Sequence, residues 1–339
     1  MKLEAERFAI RLPRPFRIAH GVSTTRETIL VHARDDRLAV TAHGEGALPP
    51  YYPSRADACL AWVSRLPREF SEIPPAPPDA AAARVAVEIA LQDLAALRAG
   101  EPVWKRFGGD PRRCPPCPMT LSIPQSEREL AEMLDEGVAL GSRDFKLKSG
   151  SGDPDWDAAC ARQVRSRFPE ARLSLDANAG WSPGTAAFLV RALADAQIAF
   201  FEQPVGREPA CWRELRQTLG DAPVPPLVAD ESLQTLEDLE ALRGLADGVN
   251  IKLLKAGGLG PASQWIRRAR ALGFKVMIGV MVETGIGRTA AAQLAPLADW
   301  LDIDPPESIP VPPYSGFAVR QGHLVLSGQP GLGLRPCSG

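Results

Sequence analysis

The stretch Phe145-Lys146-Leu147-Lys148 has the alternating pattern of a short β-strand, with two lysines on one face and two apolar residues on the other. The outer face of a barrel strand packs against helices and is apolar, so in a barrel both lysines point inward. Two ammonium groups inside a protein are costly unless they pair with carboxylates or serve chemistry. An ordinary solvated strand is the alternative, and the remaining sequence argues against it.

Short apolar runs alternate with helical stretches from Pro118 onward. They predict eight strands, at residues 119–123, 144–148, 172–176, 199–202, 227–230, 248–253, 275–280 and 300–304. This alternation is typical of an α/β fold, and the number of strands favours a (β/α)₈ barrel of the TIM type. A doubly wound open sheet is less favoured, because no glycine-rich phosphate loop follows an early strand.

The N-terminal part has a different texture, which predicts an α+β capping domain over residues 1–112. Its strands are expected at 3–11, 27–33 and 38–44, and its helices at 55–66 and 78–99. The barrel domain is expected over 113–310, and the loop-rich segment 311–339 is expected to return to the cap and complete it. Cys114 and Cys117 have CxxC spacing, but the prolines around them favour an interdomain linker over a redox or zinc site.

The overall charge of the 339 residues is −2, with acids and bases almost balanced, which argues against a nucleic-acid-binding protein. There is no run of about 18 apolar residues, so no membrane span is expected. The first residues are charged and alternating, unlike a signal peptide. We therefore expect a cytoplasmic protein that acts on a small-molecule substrate.

Charged residues end the predicted strands, where the active sites of such barrels lie. The third, fourth and fifth strands end at Asp176, Glu202 and Asp230. A single acid in such a place is usually a helix cap or a loop residue. Three on consecutive strands lie close together and repel one another, which a cation relieves. Because oxygen-only ligands suit Mg²⁺, we predict that these three residues bind magnesium.

Lys148 on the second predicted strand and Lys252 on the sixth are expected to face each other, because these strands lie opposite in an eight-stranded barrel. A substrate carboxylate on the metal then places its α-carbon between them. One lysine takes the α-proton, the other returns it to the opposite face, and the metal stabilises the enediolate between the steps. Lys146 beside Lys148 is expected to lower the lysine pKa, as a base requires. Lys255 is expected at the surface.

Asp302 and Asp304 share one face of the eighth predicted strand. They are expected to lie too far from the metal strands to join them, so a substrate ammonium group is their natural partner. Solvated loop acids are the alternative. Lys146 and Glu283 are further candidates for substrate binding, and Asn178, Asn250 and Glu231 are candidates for supporting the metal ligands.

These motifs together resemble the enolase superfamily, in its muconate-lactonising subgroup, and are most similar to the dipeptide epimerases typified by L-Ala-D/L-Glu epimerase. The likeness covers nearly the whole chain. The matching segments are residues 145–148, 175–181, 201–204, 229–232, 250–258 and 281–284 in the barrel, with residues 15–16 and 86–93 in the cap.

The resemblance implies that Asp176, Glu202 and Asp230 bind Mg²⁺ and that Lys148 and Lys252 are the acid/base pair. It also implies that the cap loops choose the substrate, and that the aspartates of the eighth strand hold the α-ammonium group of a dipeptide. Members of the subgroup often form homo-oligomers, although the sequence identifies no interface.

The cap loops depart from the Ala-Glu epimerases, which carry an arginine in the first loop where this chain has Gly21. Arg26 follows later but begins a predicted strand. Tyr51, Tyr52 and Leu48 in the second loop favour a neutral or apolar substrate side chain. The sequence therefore predicts an epimerase of dipeptides with such side chains.

Two other functions remain open at this point. An o-succinylbenzoate synthase, N-acylamino acid racemase or muconate cycloisomerase of the same subgroup would share the metal site and the lysines, but would have no ammonium group for Asp302 and Asp304 to hold. A non-catalytic barrel would be free to lose ligands or a base, and the presence of all five core residues disfavours it.

Overall fold

The computed structural model describes residues 1–68, 70–308 and 314–336. Its N-terminal cap begins with an antiparallel sheet of Lys2–Ile18 (β1), Gly21–Asp35 (β2) and Val40–Leu48 (β3), in the order β1-β2-β3. Both β1 and β2 are longer than expected, because they continue as a hairpin past an irregularity after Arg11. The helices Ala56–Ser64 (α1), Ala81–Ala99 (α2) and Val103–Arg106 (α3) follow, the last of them not predicted.

One face of the cap sheet packs on α2. Ile29, Val31 and Ala33 alternate along β2 and are fully buried on this face. Glycines on β3 let the helix approach closely, since a Cβ atom added at Gly46 would lie 2.0 Å from the carbonyl oxygen of Ala82. The opposite face of the sheet is free to meet the barrel.

Eight parallel strands form the second sheet, and their order in the sheet follows their order along the chain. The strands are Met119–Leu121 (β4), Phe145–Lys148 (β5), Leu173–Asp176 (β6), Ile198–Glu202 (β7), Leu227–Ala229 (β8), Gly248–Lys252 (β9), Lys275–Gly279 (β10) and Trp300–Asp302 (β11). The sheet curls until its edges approach, where the backbone N–H of Thr120 donates to the Asp304 carboxylate at 2.6 Å. The predicted barrel with an N-terminal cap is confirmed.

Helices connect these strands, and a serine or aspartate side chain caps the N-terminus of each of the first three. The helices are Glu127–Ala139 (α4), Pro154–Arg167 (α5), Pro183–Ala192 (α6), Pro209–Leu219 (α7), Asp238–Leu242 (α8), Leu253–Ala256 (α9), Leu259–Ala271 (α10) and Gly285–Ala292 (α11). The eighth strand is followed by a 3₁₀ turn, Pro306–Ser308. None of the helices in the described ranges has the length and apolar composition needed to cross a bilayer.

The C-terminal segment contacts both parts of the molecule. Two short antiparallel strand pairs follow the barrel: Tyr314–Ser315 (β12) pairs with Arg335–Pro336 (β15), and Phe317–Arg320 (β13) forms a hairpin with His323–Leu326 (β14). The backbone N–H of Leu332 donates to Asp93 of α2 at 2.7 Å, which ties this segment to the cap. The division into 1–112, 113–310 and 311–339 stays a prediction, and its second boundary lies outside the described residues.

Cys114 and Cys117 are free, buried thiols in the link between cap and barrel. The Cys117 thiol donates to the carbonyl oxygen of Ile303 at 2.8 Å, and burial raises the pKa of both thiols. These contacts fit a structural part in the linker, whereas a reactive cysteine has a lowered pKa.

Candidate active site

The predicted metal ligands meet at the C-terminal mouth of the barrel. Asp176 and Glu202 are the last residues of β6 and β7 and are direct partners in the strand register. Asp230 follows β8 directly. The three residues are between 0% and 3% exposed, so their charges depend on neighbouring groups rather than on water.

Lys146 lies at the centre of this cluster. Its Nζ is 2.9 Å from Asp176 Oδ2 and 2.6 Å from Glu202 Oε2. Burial raises the pKa of Asp176, but Lys146 and Lys148 outweigh it and lower that pKa to about 2. Burial and the nearby Asp176 raise the pKa of Glu202 to about 8. The surroundings therefore shift the pKa values of these two neighbouring carboxylates in opposite directions.

The aspartates of the eighth strand are closer to the metal strands than the sequence suggested. Lys146 Nζ is also 2.7 Å from Asp302 Oδ2, so one ammonium group joins Asp302 to Asp176 and Glu202. The expectation that these acids stand apart is wrong for Asp302, because the narrow barrel lets one inward lysine reach several strands. Asp304 instead accepts the Thr120 N–H at the seam between β4 and β11.

Lys148 and Lys252 come from opposite strands of the barrel and line one cavity. Lys148 Nζ is 2.6 Å from Asp176 Oδ2, and Lys252 Nζ is 2.8 Å from Asp230 Oδ2. Burial acts to lower the pKa of Lys252, yet the carboxylates of Asp230 and Asp302 raise it well above its ordinary value. At Lys252, attraction to these carboxylates outweighs both burial and the repulsion from Lys146.

The sequence analysis placed Lys255 at the surface, and this is wrong. Its side chain is only 1% exposed, and its Nζ donates to Asp230 Oδ1 at 2.8 Å and to the carbonyl oxygen of Asn250 at 3.0 Å. The short helix α9 turns the chain back over the end of β9 and brings Lys255 to the same carboxylate as Lys252. The spacing of three residues, close to one helical turn, was the available signal.

Amide side chains form hydrogen bonds to several acidic residues of the site. Asn250 donates to Glu202 Oε1 at 2.8 Å, and Asn178 donates to Glu231 Oε1 at 3.0 Å. The sequence analysis missed Gln203, whose Oε1 accepts the Asp230 N–H at 2.9 Å from a backbone with φ of 37°. These contacts fix the orientation of the predicted ligands from behind.

Glu283 lies on the other side of the mouth, after β10, and also lines the cavity. Burial and the neighbouring carboxylate of Glu45 raise its pKa to about 8. Glu45 comes from β3 of the cap and accepts the N–H groups of Thr284 and Gly287 at 2.9 and 2.7 Å. Glu45 of the capping domain therefore assists Thr284, the N-cap residue of α11, in satisfying the first N–H groups of this barrel helix.

The cavity has a volume of about 580 Å³ and is lined by residues of both the barrel and the cap. Apolar and aromatic side chains of the cap line this cavity, namely Phe16 and Ile18 of β1, Leu48 of β3, and Tyr51 and Tyr52 after it. The Tyr52 hydroxyl donates to Gln234 Oε1 at 2.8 Å, which fixes the second loop to the barrel. Arg26, which was predicted to begin a strand, lies within β2 and also lines the cavity.

The donor set of Asp176, Glu202 and Asp230 has the chemistry of a site for a hard divalent cation: oxygen ligands only, buried, and on adjacent strands. In the present arrangement these carboxylates contact lysine ammonium groups. Across residues 1–68, 70–308 and 314–336, no three His, Cys, Asp or Glu side chains converge as a ready-made metal site. The residues therefore fit such an ion by type and position, after rotation of the carboxylates from the lysines.

Comparisons with known proteins agree on one family. A family model described as enolase C-terminal domain-like matches residues 127–338. An L-Ala-D/L-Glu epimerase of Bacillus subtilis is 30% identical over 361 residues, covering 98% of this chain and 96% of that protein. A hydrophobic dipeptide epimerase of Roseobacter litoralis is 33% identical over 258 residues, covering 74% of this chain and 72% of that protein.

A solved structure gives the same result. The dipeptide epimerase of Methylococcus capsulatus, complexed with Mg and the dipeptide L-Arg-D-Lys, has a TM-score of 0.86 and 28% identity, and the match covers 98% of each chain. The resemblance inferred from the strand-end motifs is confirmed, and so is the predicted enzyme class. The chain belongs to the enolase superfamily, and it is an isomerase of that superfamily.

Proposed function

We propose that the protein is a Mg²⁺-dependent dipeptide epimerase that inverts the α-carbon of the C-terminal residue of a dipeptide. The observation that carries the proposal is the placement of Lys148 and Lys252 on opposite strands of one cavity, each 2.6–2.8 Å from a predicted metal ligand. A 1,1-proton transfer needs a base on one face of the α-carbon and an acid on the other.

The lysines perform the proton transfers in this reaction. One lysine in its neutral form takes the α-proton, and the C–H electron pair passes into the substrate carboxylate to give an enediolate. The other lysine, as an ammonium group, gives a proton to the opposite face and becomes neutral. Lys146, held among Asp176, Glu202 and Asp302, adds a fixed positive charge near the carboxylate on which negative charge develops.

Asp176, Glu202 and Asp230 are the residues that would hold Mg²⁺. When bound, the ion supplies electrostatic stabilisation of the developing negative charge. Asn250 and Gln203 keep Glu202 and the Asp230 backbone in place for this task. The solved relative from Methylococcus capsulatus, which contains Mg, supports the choice of metal.

Asp302 and Asp304 are proposed to hold the α-ammonium group of the dipeptide. Both line the cavity on the side of the eighth strand. Their negative charge suits a cationic N-terminus and opposes the dicarboxylate substrates of a succinylbenzoate synthase or a muconate cycloisomerase. The pair therefore favours the dipeptide over the other substrates of the subgroup.

The side chain of the inverted residue is proposed to be neutral or apolar. Phe16, Leu48 and Tyr51 give the cap wall an apolar surface. A relative named as a hydrophobic dipeptide epimerase supports this preference. A cytoplasmic location and assembly into a homo-oligomer stay predictions.

Solvent deuterium exchange tests the proposal directly. The protein is incubated with Mg²⁺ in D₂O with pools of L,L-dipeptides, and a mass gain of one unit is followed by mass spectrometry. We expect label in a subset of dipeptides, lost with EDTA and with the double variant Lys148→Ala and Lys252→Ala. Lys105→Ala is the matched control, because Lys105 is exposed and paired with Glu101 outside the cavity.

Absence of label in every dipeptide, together with turnover of N-acylamino acids or muconates, would transfer the assignment to the other enzymes of the subgroup. Preferential labelling of dipeptides with a charged second residue would overturn only the proposed side-chain preference.

A further inference from the structure

Arg26 is a half-buried cation in the cavity wall. It lies on β2 opposite Ile10 of β1. No side chain or carbonyl group within the described residues forms an ion pair or hydrogen bond with its guanidinium group. The adjacent Glu27 is already engaged by Arg7, whose Nε donates to Glu27 Oε1 at 2.8 Å.

Nearby arginines of the cap are neutralised by partners. Arg14, which also lines the cavity, has its Nε 2.8 Å from Glu136 Oε2, and Arg17 has its Nη1 2.6 Å from Glu129 Oε1. Arginine stays charged even where burial lowers its pKa, as it does for Arg26. A half-buried charge without a partner is costly, so Arg26 stands out as a group whose charge acts on what enters the cavity.

The position of Arg26 relates it to the substrate side chain. Glu27 pairs in register with Leu48, the last residue of β3, so Arg26 lies where the second cap loop leaves the sheet. Tyr51 of that loop lines the same cavity as Arg26 and Lys252. The loop therefore connects Arg26 with the centre where the α-carbon reacts.

We propose that Arg26 makes the pocket select the inverted residue by charge, excluding dipeptides whose second side chain is cationic. This inference rests on the proposed function and deepens it. A cationic side chain that enters the pocket meets the guanidinium group in a partly desolvated space, where like charges repel more strongly than in water. A neutral side chain meets only the apolar wall.

The test compares wild type with Arg26→Gln on L-Ala-L-Leu, L-Ala-L-Lys and L-Ala-L-Glu, using kcat/KM for deuterium exchange. We expect the variant to raise kcat/KM for the lysine dipeptide about tenfold and to lower it for the glutamate dipeptide by a similar factor. For the leucine dipeptide, kcat/KM should change by less than about twofold, because its neutral side chain does not interact with the Arg26 charge. Arg26→Lys keeps the charge and should retain the wild-type ratios.

Arg14→Gln is the matched control, because Arg14 lines the same cavity but is paired with Glu136. The ratios of kcat/KM between the three dipeptides should stay near the wild-type ratios in this variant. A second measurement needs no variant: added salt screens the Arg26 charge, so the lysine-to-leucine ratio of the wild type should rise with ionic strength.

The outcomes separate the two proposals. If wild type exchanges L-Ala-L-Leu but Arg26→Gln changes all three dipeptides equally, or Arg26→Lys behaves like Arg26→Gln, selection by charge is overturned and the epimerase proposal stands. If wild type exchanges no dipeptide at all, both proposals fall.

Discussion

The barrel mouth and the cap wall enclose one cavity but differ in how their charges are paired. At the mouth, Lys146, Lys148, Lys252 and Lys255 each contact a carboxylate at 2.9 Å or less. In the cap wall, Arg26 has no such partner within the described part of the chain. This difference indicates that the barrel mouth is a preorganised set of charges suited to catalysis. The cap wall, in contrast, is suited to selecting among substrates.

The largest expected effect on activity comes from removing either lysine at the barrel mouth. Lys148→Ala and Lys252→Ala should each reduce epimerisation about 10³-fold or more, because each removes one of two proton-transfer groups. Each variant should still exchange the α-proton of one epimer, the one whose proton faces the remaining lysine. Deuterium incorporation into separate L,L and L,D dipeptides measures this. Equal loss for both epimers in both variants would contradict the two-face arrangement.

The next effect concerns the side of the mouth that receives the ammonium group. The double change Asp302→Asn and Asp304→Asn should raise KM for dipeptides about 100-fold, since two charge-assisted contacts are lost. Steady-state kinetics measure it, and circular dichroism checks the fold. An unchanged KM would reduce these residues to structural acids that hold Lys146 and Thr120.

In the cap, packing rather than charge is expected to dominate. Gly46→Ala should lower the free energy of unfolding by about 3 kcal/mol, because the added Cβ would lie 2.0 Å from the Ala82 carbonyl oxygen. Urea unfolding measures the change. Gly184→Ala is the control, since its Cβ would be 3.9 Å from the nearest atom, Ser182 Oγ. A neutral Gly46→Ala would show that α2 can move away from the sheet.

The smallest effect is a pH dependence of the cap. Burial and the nearby His32, whose Nδ1 is 2.9 Å from that of His43, lower the pKa of His43 from 6.5 to about 4. Between these values the folded protein binds fewer protons than the unfolded chain, so stability falls as the pH falls.

His43→Gln should remove this slope, so the wild type should lose about 1–2 kcal/mol relative to the variant between pH 6.5 and 4, after allowance for solvent screening. Parallel stability curves would show that His43 titrates normally. Loss of the stacking contact with Tyr314 shifts the whole curve of the variant but does not change its slope.

The barrel and the core of the site could be predicted from the sequence because both depend on local sequence patterns. Strand alternation and the residue that ends each strand are visible without a structure, and they identified Asp176, Glu202 and Asp230 together with Lys148 and Lys252. The roles of these residues remain proposals, but their meeting at one mouth followed from the fold class.

The contacts that the sequence did not predict depend on the three-dimensional arrangement of helices and strands around the barrel mouth. Lys255 reaches Asp230 only because α9 turns back after β9. Arg26 was set aside because it was predicted to begin a strand, although a strand beside a cavity presents alternate residues to it. The bridge from Lys146 to Asp302 depends on the distance across the barrel, which strand periodicity does not contain.

The contact between Glu45 and helix α11 has a consequence for engineering. A buried cap carboxylate satisfies the first N–H groups of a barrel helix, directly after the loop that carries Glu283. The cap is therefore not an interchangeable module: transplanting it onto another barrel without a hydroxyl residue at position 284 and glycine at 287 would leave a buried carboxylate beside an uncapped helix. Chimeras that exchange substrate loops should be cut within the two cap loops and leave β3 and α11 from the same parent.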